Sequence, residues 1–70
     1  MVKVTSISSN PNTHKALVSL FSDTKAEVST TEPSDIEGFP TEYTIDAGSS
    51  VMTADADVAF MKSDGSWNWV

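Results

Sequence analysis

The stretch VAFMKSDGSWNWV, residues 58–70, decides the fold. Its centre, Asp64-Gly65, favours a tight turn with positive φ, and residues that favour strands flank the turn on both sides. We therefore predict a C-terminal hairpin that pairs residues 58–62 with residues 66–70. Apolar residues on both faces of 58–61 further predict a strand that is covered on each side.

The rest of the chain carries further strand signals. Residues 1–7 alternate with a two-residue period, and a turn at residues 10–12 ends that strand. Residues 14–28 fit both a helix, with Leu17, Leu20, Phe21 and Val28 roughly on one side, and a buried strand. We interpret residues 15–21 as a strand because no strong cap precedes them and turn-forming residues follow at 22–24. Two more strands are predicted at 43–45 and 50–53. The expected fold is mainly β: a single domain over residues 1–70, built as a small antiparallel meander with the C-terminal hairpin and a long polar loop.

That polar loop is residues 29–42, which hold two prolines, one glycine and four carboxylates. A long irregular segment in so small a domain is usually either functional or disordered. Ile36 and Phe39 are its apolar anchors. They either carry an arm that reaches a neighbouring subunit or simply cover the domain's own core, and the sequence leaves both alternatives open.

The length and the charge of the chain limit the kinds of function that it can have. A chain of 70 residues without cysteine has a thin core and no disulfide to reinforce it, so association with a partner is the expected support. The net charge of −6, with four lysines and no arginine, disfavours nucleic acid and anionic membranes. The apolar runs are too short to span a bilayer, and the first residues do not resemble a signal peptide. We expect a soluble protein made in the cytosol.

Few residues offer chemistry. His14 is the only histidine, and no partner in the sequence would orient it as a general base. Asp55 and Asp57 would point to the same side of an extended segment, yet calcium needs six to eight oxygen ligands and this pair lacks the rest of such a site. We therefore predict a protein that is not an enzyme, with no catalytic residues, no cofactor and no metal.

Trp67 and Trp69 are the most informative aromatic residues, because strand alternation places both indoles on one face. Three interpretations remain open. The two rings belong to the domain's own core, form a subunit contact, or make an exposed platform that stacks on sugar rings.

The C-terminal forty-odd residues resemble small structural proteins encoded in the morphogenesis regions of tailed bacteriophages and prophages. The resemblance rests on a polar loop, a Gly-Ser-containing strand, an acidic turn, a strand with an aromatic residue and a closing Asp-Gly-x-Trp. Here these are Glu32-Pro33 and Glu37-Gly38, Gly48-Ser49-Ser50-Val51, Asp55-Ala56-Asp57, Val58-Ala59-Phe60-Met61 and Asp64-Gly65-Ser66-Trp67.

This resemblance implies a virion component made in the host cytoplasm, a capsid decoration or cement protein or a head or tail accessory. Its partners would be the major capsid protein or other virion proteins, together with further copies of itself in a homo-oligomer. The expected partner-binding residues are Ile36, Phe39, Tyr43, Phe60, Trp67 and Trp69. Two alternatives stay open: a carbohydrate- or receptor-binding tip that uses Trp67 and Trp69, and a small acidic inhibitor or DNA mimic suggested by the charge.

Overall fold

The computed structural model describes all residues, 1–70, as one open mixed sheet with a short α-helix and a single 3₁₀ turn. The mainly β fold is confirmed, with 43% of residues in strands against 13% in helices. The elements, in chain order, are β1 (Lys3–Asn10), β2 (Lys15–Ser22), α1 (Lys25–Thr30), the 3₁₀ turn (Pro33–Asp35), β3 (Thr44–Ile45), β4 (Ser50–Thr53), β5 (Val58–Met61) and β6 (Trp67–Trp69).

The order of strands across the sheet is β1-β2-β4-β5-β6, and β3 pairs with the start of β2. Consecutive pairs β1–β2, β4–β5 and β5–β6 are antiparallel, as a meander requires. The exception is β2, which runs parallel to both β3 and β4. Parallel neighbours need a long crossover, and residues 23–49 supply it. The fold therefore differs from a pure meander because the polar segment carries the chain back across the sheet.

Strand β2 is an interior strand of the sheet that pairs with β1, β3 and β4, which confirms the strand interpretation of residues 15–21. Every second residue of β2 is buried, from Ala16 through Val18 and Leu20 to Ser22. A helix over the same residues would have spread these side chains around its axis, whereas a strand turns them all toward one core. The antiparallel ladder to β1 contains a bulge between Val4 and Ser6.

Helix α1 is absent from the preferred sequence interpretation, which follows the strand at 15–21 with turn-forming residues and a loop from residue 29. Thr24 caps it, because its side chain accepts a hydrogen bond from the Glu27 N–H at 3.2 Å. Val28 is its only buried residue, so the helix contributes one apolar side chain to the core. Its two apolar residues, Ala26 and Val28, are two positions apart, so the six residues show no helical period in the sequence.

The predicted loop, residues 29–42, packs on the chain's own sheet. Its first two residues complete α1, and the 3₁₀ turn follows. Ile36 and Phe39 are both buried in the core. Between them, the Glu37 N–H donates to the Val2 carbonyl at 3.0 Å and the Glu37 carbonyl accepts from the Val4 N–H at 2.9 Å. The alternative in which these residues cover the domain's own core is therefore the one that the structure contains.

The core lies on one face of the sheet and, apart from Phe39, is made of small or medium aliphatic side chains. It is covered by α1 and by the segment around Ile36 and Phe39. Half-buried aromatic residues, including Trp67 and Trp69, pack at its margin. Its buried cluster consists of Val2, Ala16, Val18, Leu20, Val28, Ile36, Phe39, Val51 and Ala59.

Ser49 fills a gap in the hydrogen-bond ladder of β2. That strand pairs with β3 at Lys15 and Ala16 and with β4 only from Ser19 onward, so Val18 has no backbone partner on this side. The Val18 N–H instead donates to the buried Ser49 Oγ at 3.0 Å, and the Ser49 hydroxyl donates to the Ala16 carbonyl at 3.5 Å. A serine side chain thus replaces one rung of the sheet where the chain changes partner.

The C-terminal hairpin is confirmed, with residues 58–62 opposite residues 66–70 as predicted. The Lys62 N–H donates to the Ser66 carbonyl at 2.8 Å, which leaves residues 63–65 as a three-residue loop. Gly65 has φ +87°, the left-handed position that ends such loops. Asp64 Oδ1 accepts hydrogen bonds from the Ser66 N–H at 3.0 Å and from the Ser66 hydroxyl at 2.6 Å. These bonds lower the pKa of the Asp64 carboxyl below its ordinary value.

Candidate functional site

The face of the sheet opposite the core is covered by no helix or loop, and we call it the open face. It is formed by alternate strand residues whose neighbours along each strand point into the core. The prediction that strand 58–61 is covered on both sides is wrong, because Ala59 is buried and Phe60 is 46% exposed. The open face consists of Leu17, Ser19, Phe21, Ser50, Met52, Val58 and Phe60.

The register of the strands sorts the open face into rows. Phe21, Met52 and Val58 lie side by side across β2, β4 and β5, so their side chains form one apolar row. Ser19, Ser50 and Phe60 form the adjoining row. A shallow depression of about 250 Å³ runs between the two rows and continues to Thr5. The face therefore offers an apolar row with small hydroxyl residues beside it.

The open face is free of negative charge. All ten Asp and Glu residues of the chain lie outside the six strands, in turns, helices and the crossover. The only charged strand residues are Lys3 and Lys15, on β1 and β2. The Lys3 Nζ lies 5.9 Å from the centre of the Phe21 ring, a cation–π distance. A chain of net charge −6 thus keeps one face neutral with a positive margin.

The six residues expected to bind partners are not brought together. Ile36 and Phe39 are buried, and Tyr43 is half-buried against the core with its ring centre 6.0 Å from that of His14. Only Phe60 lies on the open face. The other apolar residues of that face, led by Leu17 and Met52 at 48% and 52% exposed, are missing from the expected set.

Trp67 and Trp69 share one face, as alternation predicts, and it is the core face. Both are half-buried and pack at the margin of the core. The Lys25 Nζ lies 5.2 Å from the centre of the Trp69 ring and 3.8 Å from an Asp57 carboxylate oxygen, so α1 covers part of that indole. Rings placed in this way act as part of the domain's own core, and a sugar platform would need both of them exposed.

One small apolar pocket, of about 140 Å³, lies beside Trp67 on the core side. Val28 and Ile36 line it from the crossover, while Leu20 and Met61 line it from the sheet. No titratable side chain reaches it. The pocket therefore offers van der Waals contact and no group for acid–base chemistry.

The residues considered for chemistry lie apart from one another. Nowhere in the chain do three or more His, Asp or Glu side chains form a group that could hold a metal ion. His14 is exposed, with φ +55°, in the turn between β1 and β2. The segment around Asp55 and Asp57 is a tight turn with φ +67° at Ala56, where an extended segment was expected. Asp57 then pairs with Lys25, an exposed ion pair of small energetic value.

None of the helices has the length and apolar character needed to cross a bilayer. No family model, curated protein or solved structure matches the chain.

Proposed function

We propose that this chain is a non-catalytic binding module that docks on another protein through its open face. The observation that carries this proposal is the contrast between the apolar, acid-free open face and the acidic turns around it. Solvent-exposed apolar side chains that gather in one patch mark surfaces that contact other proteins. The acidic turns form a hydrated rim around that surface, as the polar rim of an interface does.

The size of the open face decides what kind of interface it can make. The three strands that form it, β2, β4 and β5, lie about 4.8 Å apart and contribute about four residues each at about 3.3 Å, so the face spans roughly 14 by 13 Å, on the order of 200 Å². Two partners together cover roughly 400 Å² of projected surface, and even twice that value stays below the lower limit of about 1,200 Å² for stable complexes. A single contact is therefore weak, and it becomes effective when many copies bind one ordered array.

The partner that we propose is a protein lattice of a bacteriophage virion. The resemblance of residues 30–70 to small phage structural proteins supports this assignment, and so does the need for a repeated partner. The chain would then be a capsid decoration or cement protein or a head or tail accessory, present in many copies on the particle. The major capsid protein of the same phage is the first partner to test.

A matched pair of variants tests the proposal. Ser50→Glu adds one carboxylate in the middle of the open face, and Ser63→Glu adds the same group in the exposed hairpin loop. Each chain is co-expressed with the major capsid protein, and assembled particles are separated by sedimentation. We expect the wild-type chain and Ser63→Glu to travel with the particles and Ser50→Glu to remain in the supernatant, with a native circular dichroism spectrum.

Absence of the wild-type chain from the particles would overturn the virion assignment. Equal binding by the two glutamate variants would overturn the use of the open face. The acidic-inhibitor alternative is favoured by one observation, that all ten carboxylates lie outside the strands. It predicts that partner binding weakens steeply as salt is raised, whereas docking through the apolar open face depends little on salt.

A further inference from the structure

Strand β1 is an outer edge of the sheet, and most of that edge is free. The segment around Glu37 covers its beginning through the hydrogen bonds to Val2 and Val4. From Thr5 to Asn10 no strand or loop of the chain pairs with the outer side. An edge of this kind presents a row of unpaired N–H and C=O groups to solvent.

Apart from the bulge at Thr5, this free edge carries none of the features that usually block pairing. Residues 5–10 read TSISSN, with no charged residue and no proline, and Pro11 follows only where the turn begins. The bulge between Val4 and Ser6 lies at the covered end. The opposite edge of the sheet, β6, has only three residues and follows a loop that contains Asp64. Proteins protect edges with charges, prolines or short strands, and β1 has only the bulge.

We infer that the free edge of β1 pairs with β1 of a second copy, antiparallel about a twofold axis, with Ile7 opposite Ile7. Charge favours this edge as the place of contact between two copies, because two chains of net charge −6 repel wherever their acidic turns meet and residues 5–10 carry no carboxylate. An isologous contact between identical edges also closes on itself, whereas pairing β1 with β6 would produce an open fibre.

The register follows from the face on which each side chain lies. Residues directly opposite in an antiparallel pair share a face, so Ile7, which lies opposite the buried Val18, must meet another residue on the core side. The neighbouring registers that meet this condition place Ile7 opposite either Ile7 or Ser9 of the second copy. Ile7 is 42% exposed in the single chain, and pairing with itself covers an apolar side chain on both copies.

Single cysteine variants test this register cleanly, because the chain has no cysteine of its own. Opposite residues of an antiparallel pair have Cα atoms about 4.5 to 5.5 Å apart, within the range that a disulfide bridges. We expect Ile7→Cys to form a disulfide-linked dimer under mild oxidation. Ser8→Cys, one residue away on the other face, and Ser63→Cys in the hairpin loop should remain largely monomeric.

Preferential cross-linking of Ser8→Cys would replace this register by the one centred on Ser8, and equal cross-linking of all three variants would show random collision.

A second measurement, of the mass in solution, needs no thiol. Sedimentation equilibrium should give a concentration-dependent mass approaching twice 7.5 kDa for the wild type and 7.5 kDa for a folded Ile7→Lys variant. A wild-type chain that stays monomeric at the highest attainable concentration overturns the inference. The contact uses the β1 edge and not the open face, so it can fail while the proposed function stands.

Discussion

Replacement of Ser49 by alanine is expected to cost a large part of the stability of this domain. Ser49 is fully buried, and its Oγ is the partner of the Val18 N–H at the place where β2 changes neighbours. Alanine has nearly the same size as serine, so the core keeps its packing. The Val18 N–H, however, loses its acceptor in a site closed to solvent.

The magnitude follows from the cost of an unpaired buried donor, about 1–3 kcal/mol. A domain of this size has a total stability of about 3.5–10 kcal/mol, from about 0.05–0.15 kcal/mol per residue. For a loss of about 2 kcal/mol, the midpoint of thermal unfolding falls by roughly 8–16 °C, because each kcal/mol moves it by about 4–8 °C in a small domain. The weaker hydrogen bond from Ser49 to the Ala16 carbonyl adds to this loss.

Urea unfolding at a fixed protein concentration measures the effect, with the fluorescence of Trp67 and Trp69 as the signal. Ser63→Ala is the matched control, because Ser63 is exposed in the hairpin loop and a surface substitution of this kind changes stability by less than about 0.5 kcal/mol. If Ser49→Ala unfolds at the same urea concentration as Ser63→Ala, the bond to Val18 contributes nothing and the reasoning fails.

The remaining predictions concern the C-terminal hairpin and α1. Gly65→Ala should destabilise the chain by about 1–2 kcal/mol, because a side chain at φ +87° is strained although no atom lies within 4 Å of the added Cβ; an unchanged urea midpoint would contradict this. The folded-state pKa of Asp64 lies below its unfolded value, so the ionised Asp64 carboxylate stabilises the folded chain. This contribution to the free energy of unfolding is fully present above the unfolded pKa, and it is lost as the pH falls through the folded pKa. A carboxyl NMR titration should therefore show a higher midpoint in Ser66→Ala than in the wild type. Lys25→Met should remove the ion pair with Asp57 but keep an aliphatic side chain over Trp69, so the free energy of unfolding should change by less than about 1 kcal/mol. Lys25→Ala removes that aliphatic side chain as well, so it should also shift the tryptophan emission to longer wavelength.

The parts of the fold that depend on local chemistry could be predicted from the sequence. Asp64 and Gly65 define the hairpin loop by themselves, since one side chain and one positive φ close it. The predicted strands at 15–21, 50–53 and 58–61 also agree closely with β2, β4 and β5. In each case neighbouring residues carry the information that the backbone uses.

The pairing of β2 with β4 could not be predicted in the same way. It depends on residues 23–49 returning the chain across the sheet, and no single residue of that segment marks the return. The open face was hidden for a related reason. Leu17 and Met52 are apolar, and apolar strand residues are expected in the core. They are exposed to solvent because α1 and the crossover both pack on the other face of the sheet.

The parallel pairing of β2 with β4 also has a consequence for how the chain reaches its native state. Residues 1–22 form one local antiparallel hairpin and residues 50–70 form another unit of three antiparallel strands, and each buries only part of the core. The contacts between the two units join residues that are far apart in the sequence. The connecting segment, residues 23–49, must therefore close into a loop before β2 and β4 can pair, and this slows folding. Two peptides cut within the exposed residues 41–42 should therefore each be largely unfolded alone and should fold when mixed.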